Sequence, residues 1–278
     1  MEIKERDTVL LTGASGGLGT FMALAFVDYK VRQVLVAYPG IGLDDLRKAV
    51  EQRGGEAIAI TCDLCDAAQR RQLLQNIRER FGPIDILINN AGVEFTSAYH
   101  DLSEENIYGL LRVNLEAPMI LSWLVLPEML ERKRGHIVNI SSLAGKSGPA
   151  FQEPYAATKA GLIAFTSSLR ATYRGSGVSA SVIVPGFVET GIYAKLKTKS
   201  GCSAPALISA SPPEAIPRAV IRAIQKDLPE IIVNPLPVRP LLAFTSLFPS
   251  LGEWVVDKIG TNDFFRRVVE TQKRKGER

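Results

Sequence analysis

Histidine and cysteine are scarce. The chain has two histidines, His100 and His136, and three cysteines, Cys62, Cys65 and Cys202, in 278 residues. An odd cysteine count argues against a disulfide framework and for a reducing, cytoplasmic setting. Cys62 and Cys65 form a Cys-x-x-Cys, but no second pair exists and neither histidine stands at ligand spacing. No metal is therefore expected, and the two thiols read as small apolar side chains. No apolar signal segment precedes the first strand in MEIKERDTVLLTG, so no leader is expected. No apolar run is long and clean enough to cross a bilayer; the best candidate, 241–259, is interrupted by Pro249, Glu253 and Asp257. Excess charge is small and local. The formal charge is +4, and the run 262–278 holds six basic against three acidic residues. Nearly all the excess sits in that tail, and nucleic acid is not an expected partner. Repeats, low-complexity blocks and long polar linkers are also missing. One domain over 1–278 is the economical reading, with a core over 7–235 and a C-terminal extension over 236–278.

What is present is an alternation. Short apolar runs at 8–11, 34–37, 57–61, 84–89, 136–140, 178–184 and 230–234 are separated by helical patterns. The runs are apolar on both faces, and each gap has room for a crossover helix. That pattern predicts an α/β fold: a doubly wound parallel sheet of about seven strands with helices on both faces.

The first run leads into Thr12-Gly-Ala-Ser-Gly-Gly-Leu-Gly19. Gly13, Gly17 and Gly19 permit a tight turn and close approach to a pyrophosphate, whose charge would meet the N-terminus of a helix over 20–29. The second run ends in Ala37, Tyr38 and Pro39, and Gly16 stands in the turn. Neither an acidic reader of ribose hydroxyls nor a basic reader of a 2′-phosphate is present. Nothing repels the phosphate, which leans weakly to NADP(H) over NAD(H). Asp63 either accepts from an adenine amino group or caps the next helix. The fourth run ends Asn89-Asn-Ala-Gly92, small residues that would let a cofactor lie on the strand end while the amides tie neighbouring strands. A long helix over 103–132 follows. Ser103 is a good N-cap, but Asn106 stands where a capping box has Glu or Gln, so the box is not expected. Asn114 lies mid-helix, and Pro118 after it should kink the helix or free a carbonyl.

The centre of the chemistry is Tyr155-Ala-Ala-Thr-Lys159. Positions four apart share a helix face. A cation beside a phenol stabilises the phenolate and draws its pKa towards the working range. Ser142, thirteen positions earlier at a strand's carboxyl end, would face the same crevice. Pro185-Gly186 turns the chain after the sixth run, and Thr190 could then reach a cofactor amide or phosphate.

In this order and spacing, the glycine turn, Asp63, Asn89-Asn-Ala-Gly92, Asn114, Ser142, Tyr155-x-x-x-Lys159 and Pro185-Gly186 resemble the short-chain dehydrogenase/reductase family in its compact, Rossmann-type form. The resemblance covers about 7–190. It implies an oxidoreductase that moves a hydride directly between nicotinamide and the carbon of a hydroxyl/carbonyl pair, on an alcohol, ketone or aldehyde. Ser142 and Tyr155 would hold the substrate oxygen, with Tyr155 as acid/base. Lys159 would lower the Tyr155 pKa and hold the nicotinamide ribose. Asn114 would position a water linking Lys159 to solvent. The cofactor would lie on Gly13, Ser15, Gly17, Leu18, Gly19, Asp63, Leu64, Asn90, Ala91, Gly92, Tyr155, Lys159, Pro185, Gly186, Val188 and Thr190. A catalytically silent dinucleotide-binding regulator is the alternative. A homodimer or higher oligomer is expected, with the helices of Asn114 and Tyr155 forming the dimer contact.

The chain departs from the family pattern after Thr190. Residues 191–211 read as a mobile lid. The extension ends in a basic amphipathic helix with Phe264, Phe265, Val268 and Val269 on one face. That face suits an anionic membrane surface, the chain's own domain or a partner subunit. An apolar lid and tail point to a lipophilic substrate.

Overall fold

The computed structural model describes residues 1–40, 42–205 and 208–275. Positions 206–207 of the 191–211 segment and 276–278 of the tail lie outside the described residues. Seven strands form one sheet: β1 (Thr8–Thr12), β2 (Arg32–Ala37), β3 (Glu56–Thr61), β4 (Ile86–Asn89), β5 (Gly135–Ile140), β6 (Val178–Pro185) and β7 (Glu230–Val233). Their order is β3-β2-β1-β4-β5-β6-β7, and every pairing is parallel. The order reverses between β1 and β4, which opens a crevice at the carboxyl ends of those strands.

Alternation along each strand explains the unbroken apolar runs. On β1, Val9 and Leu11 pack with one core cluster and Leu10 with the other; on β4, Ile86 and Ile88 oppose Leu87. Both faces are covered, and among the strand positions only Glu56 and Thr61, at the two ends of β3, are exposed. One cluster is closed by α1 (Gly17–Ala25), α2 (Leu43–Gln52) and α9 (Ala215–Lys226), through Met22, Leu46 and Val220. The other is closed by α3 (Ala67–Phe81) and α5 (Ala117–Glu131), through Leu73, Ile77 and Leu121.

The long helix is not one helix. It begins as α4 (Glu104–Leu111), passes through a π-helical turn at Arg112–Glu116, and continues as α5. Ser103 and Asn106 do form a reciprocal capping box, contrary to expectation: Asn106 N–H donates to Ser103 Oγ at 3.1 Å and Ser103 N–H to Asn106 Oδ1 at 3.3 Å. The Asn side chain is long enough for the role assigned to Glu or Gln. Pro118 has no N–H for the Asn114 carbonyl, and the turn widens so that Ala117 N–H reaches Arg112 O. The stretch Glu104–Glu131 is also the one described helix long and apolar enough to cross a membrane, although 44% of its most apolar window is buried in the fold. The 241–259 stretch is instead two helices, α10 (Arg239–Leu247) and α11 (Pro249–Ile259).

The remaining helices are α6 (Ala144–Ser147), α7 (Glu153–Thr172), α8 (Gly191–Ser200) and α12 (Thr261–Arg274). The apolar face of α12 is spent inside the protein. Phe264, Phe265 and Val268 are buried against Tyr193 and Leu196 of α8 and against Phe187. Phe187–Tyr193, Phe187–Phe264 and Phe264–Phe265 ring centroids lie 5.1, 5.2 and 5.0 Å apart. A membrane would need that face, so it is not available there. The exposed large apolar side chains of the extension are Leu236 at its start and Leu247, Phe248, Leu251 and Trp254 on and between α10 and α11. Because Phe264 is wholly buried, Phe264→Ala is expected to cost about 3–5 kcal/mol. Hydrogen exchange should show that loss in α8 and α12, with the sheet still protected.

Candidate active site

The glycine turn occupies the crevice between the ends of β1 and β4. Gly13 has φ +63°, and a Cβ there would stand 2.7 Å from Ala91 Cα. The side chain of Asn90 fixes this approach by donating to the carbonyls of Thr12 and Gly13, both at 3.0 Å. A Cβ on Gly17 would stand 2.3 Å from Thr190 Oγ1, so the Thr190 hydroxyl sits where that side chain would be. These bare backbone positions, at the N-terminus of α1, are a cradle shaped for a dinucleotide's phosphates. Asp63 does not cap α3. Asp66 does, accepting from Ala68 and Gln69 N–H, while Asp63 Oδ1 accepts from Cys65 N–H at 2.8 Å and faces the same cavity. Asn89 ties the strands, donating to Asn139 Oδ1 at 2.8 Å. Cys62, pushed up to about 11 by burial, and Cys65, also raised by burial, are poor thiolates. Among the described residues no histidine, cysteine or carboxylate cluster could hold a metal.

Three contacts fix α7 against the end of β5. Ser141 Oγ donates to Lys159 O at 2.8 Å, and Lys159 Nζ donates to Ile140 O at 3.1 Å. Gly145 lets the helix approach, since a Cβ there would stand 2.6 Å from Lys159 C. The result brings Ser142, Tyr155 and Lys159 together; Tyr155 is 8% and Lys159 4% exposed. Asn114 is fully buried beside them, but its side chain is committed. Oδ1 accepts from Val93 N–H at 2.8 Å, and Nδ2 donates to Val93 O at 2.9 Å and to Thr158 Oγ1 at 3.3 Å. Any water that Asn114 positions must therefore use its backbone carbonyl, the group that Pro118 leaves without a donor.

The electrostatics differ from the sequence expectation. Lys159 is not what moves the phenol. Burial pushes Tyr155 above its ordinary value, a hydrogen bond with Ser142 pulls it back, and the Glu94 carboxylate pushes it further up. Burial pulls Lys159 down to about 8. The ammonium donates to the Ile140 carbonyl and lies 5.6 Å from the Tyr155 ring centroid, over the ring. Its charge is not spent on the hydroxyl.

A single cavity of about 960 Å³ joins these parts. Gly13, Ser15, Gly17, Leu18, Asp63, Leu64, Asn90, Ala91, Gly92, Pro185, Gly186, Val188 and Thr190 line it with Ser142 and Tyr155. Gly19, Asn114 and Lys159 stand behind its wall; a Cβ on Gly19 would meet Gly13 O at 2.2 Å. Tyr38, at the end of β2, also lines it and is exposed. Beyond Tyr155 the wall is built by the extension: Leu241, Leu242, Val256, Ile259 and Phe265. Asn262 Oδ1 pins this cover to the loop before α7 by accepting from Ala150 N–H at 3.0 Å. Glu94 and Gln152, which the sequence did not single out, line the same region. Their positions carried a signal, two residues past Gly92 and three before Tyr155.

A family model described as short chain dehydrogenase matches residues 7–201. Ketoacyl reductase HetN of Nostoc sp. is 39% identical over 275 residues, 97% of this chain and 94% of that one. The 3-oxoacyl-[acyl-carrier-protein] reductase FabG of Thermotoga maritima is 30% identical over 70% of this chain and 80% of its own length. Among solved structures, a variant of actinorhodin polyketide ketoreductase with NADPH superposes with a TM-score of 0.75 at 28% identity, covering 82% of this chain and 95% of that one. A metagenomic short-chain oxidoreductase in complex with NADP superposes with a TM-score of 0.71 at 31% identity, covering 85% of this chain and all of the other. Matched through most of its sheet and across its glycine turn, Ser142, Tyr155 and Lys159, the chain belongs to the short chain dehydrogenase family of oxidoreductases.

Proposed function

We propose that the protein is an NADPH-dependent reductase of lipophilic ketones, with Tyr155 as the proton donor. The carrying observation is that Tyr155, beside Ser142, stands between the glycine cradle and an apolar chamber in one cavity. Bound in the cradle, the dinucleotide supplies the hydride. Everything else falls to the chain. The Ser142 and Tyr155 hydroxyls would hold the carbonyl oxygen as it gains charge. Burial keeps the phenol protonated at neutral pH, which favours giving a proton over taking one and so favours reduction. Lys159, behind Tyr155, would hold the nicotinamide ribose. Leu241, Leu242, Val256, Ile259 and Phe265 exclude water and suit an alkyl or acyl chain. The ketoacyl and ketoreductase names of its relatives support this substrate class. The neutral end of β2, Ala37 and Tyr38, leaves nothing to repel a 2′-phosphate, and solved relatives with NADPH or NADP support the same cofactor. Exposed Tyr108, Leu111, Met119 and Trp123 on α4 and α5 support a homodimer through that surface.

Cofactor consumption with a panel of 3-oxo esters of increasing chain length tests the reading. NADPH should be consumed at least about tenfold faster than NADH, a difference of ~1.4 kcal/mol, with rates rising with chain length. Preference for NADH overturns the cofactor assignment. Tight NADPH binding without turnover of any ketone favours the silent regulator instead.

A further inference from the structure

Glu94 is a carboxylate placed where the chamber is otherwise mostly apolar. It lies two residues past Gly92, at the end of β4, and lines the cavity beside Tyr155. It is not a stray surface group. Gln152 Nε2 donates to its Oε1 at 2.7 Å, Thr96 Oγ1 donates to the same oxygen, and Gln152 Nε2 also reaches Thr96 Oγ1 at 2.6 Å. Gln152 is 2% and Thr96 7% exposed. This closed triangle holds the carboxylate in one orientation and saturates a single oxygen. Both bonds end on Oε1, so Oε2 has no hydrogen-bond donor among the described residues.

Glu94 is half-buried, and its Oε2 is left open to the chamber while the fold supplies donors to Oε1 alone. A ligand donor at Oε2 would take the place of water. Burial raises the Glu94 pKa, while its two hydrogen bonds and Lys199 lower it. The other ionisable groups that line the cavity from the surrounding helices are Tyr155 on α7, Tyr193 and Lys195 on α8 and Glu105 on α4, with Lys159 of α7 behind its wall. Glu94 is coupled to the phenol, because its charge raises the Tyr155 pKa.

We propose that Glu94 determines substrate choice: Oε2 accepts a hydrogen bond from a donor on the substrate, a hydroxyl or amide N–H near the reacting carbonyl, and its charge excludes substrates that carry a carboxylate. The role rests on the proposed reading of the chamber as the substrate site. The recognised class is a neutral, lipophilic ketone bearing a hydrogen-bond donor. The free keto acid of the same chain is rejected by like-charge repulsion from a carboxylate held in one orientation.

The test uses ligands that need no turnover. Octanamide and octanoate share a chain and differ in charge and donor. Binding of each to the full-length protein with NADP⁺ is measured by calorimetry at pH 6 and pH 8. Wild type should prefer octanamide by about tenfold or more at pH 8, with the preference weakening as pH falls because burial raises the Glu94 pKa. Glu94→Gln should bring the two within about threefold, chiefly by tighter octanoate binding, and should lose the pH dependence. Glu94→Asp should restore the preference, which a purely structural tie would not predict. An unchanged ratio in Glu94→Gln, or no octanamide binding to wild type, overturns the proposal. Ketone turnover by the same preparations separates the two claims. A ratio that responds to Glu94 without turnover leaves the filter standing and removes the reductase. Turnover with an unresponsive ratio removes the filter alone.

Discussion

Tyr155→Phe is expected to lower ketone turnover by about 10²–10⁴-fold, the range spanned by a positioned general acid. Dissociation of NADPH should change by less than about threefold, ~0.7 kcal/mol. The substitution removes one oxygen from a side chain whose ring is already buried in α7, so it leaves no cavity. What it removes is the hydroxyl beside Ser142 in the cavity. The cradle of Gly13, Gly17 and Asn90 does not use the phenol, which is why binding and turnover should separate. Stopped-flow absorbance of NADPH with a 3-oxo ester, and fluorescence titration of NADPH alone, supply the two readings. Near wild-type turnover in the variant would mean that another group donates the proton.

Lys159→Met should lose turnover by a factor of about 10² or more while making the cofactor-free protein more stable. The lysine is 4% exposed, and burial pulls its pKa to about 8 from its ordinary value of 10.5. The folded state therefore binds fewer protons than the unfolded chain between those values. Below about pH 8 the folded protein carries the full penalty of a buried cation. As pH rises from about 8 towards 10.5 the unfolded lysine also deprotonates, and the penalty fades. The gap between about 8 and 10.5 corresponds to ~3 kcal/mol. Losing the 3.1 Å bond to Ile140 O returns about 1 kcal/mol of this. The net gain for methionine is ~1–3 kcal/mol near pH 7. Urea unfolding at pH 7 and pH 10 should show the variant ahead at the lower pH and the gap narrowing at the higher. A variant less stable at pH 7 would show that the ammonium serves the fold rather than chemistry.

That trade explains why part of the site was legible from residue types alone. A parallel sheet buried on both faces writes its strands as unbroken apolar runs, so Val9–Leu10–Leu11 and Ile86–Leu87–Ile88 announced themselves. The Gly13, Gly17 and Gly19 spacing was readable because a Cβ at any of them would strike backbone or the Thr190 hydroxyl. Local polar chemistry was harder. Asp63 and Asp66 are equally good caps by type, and only the turn of the chain gives the cap to Asp66. The capping box at Ser103 was missed because side-chain reach, not residue class, decides it. The influence of Lys159 on Tyr155 was misjudged because i,i+4 spacing fixes a shared face but not where the ammonium points; it points at the Ile140 carbonyl. The extension was ambiguous because amphipathicity says that a face will be covered, not by what. Phe264 and Val268 were claimed by α8, which no local pattern in either segment records. Glu94 and Gln152 escaped notice because they are 58 positions apart and meet only once β4 and α7 are in place.

The central claim is that Tyr155 hands its proton to a ketone oxygen in this cavity. Its most direct test is the pH dependence of single-turnover NADPH oxidation by the wild type with a 3-oxo ester in saturating amount, alongside Tyr155→Phe. The account predicts a rate that is flat through neutrality and falls with increasing pH as the phenol loses its proton, with that falling limb absent from the residual rate of the variant. A falling limb that persists unchanged in Tyr155→Phe would contradict it.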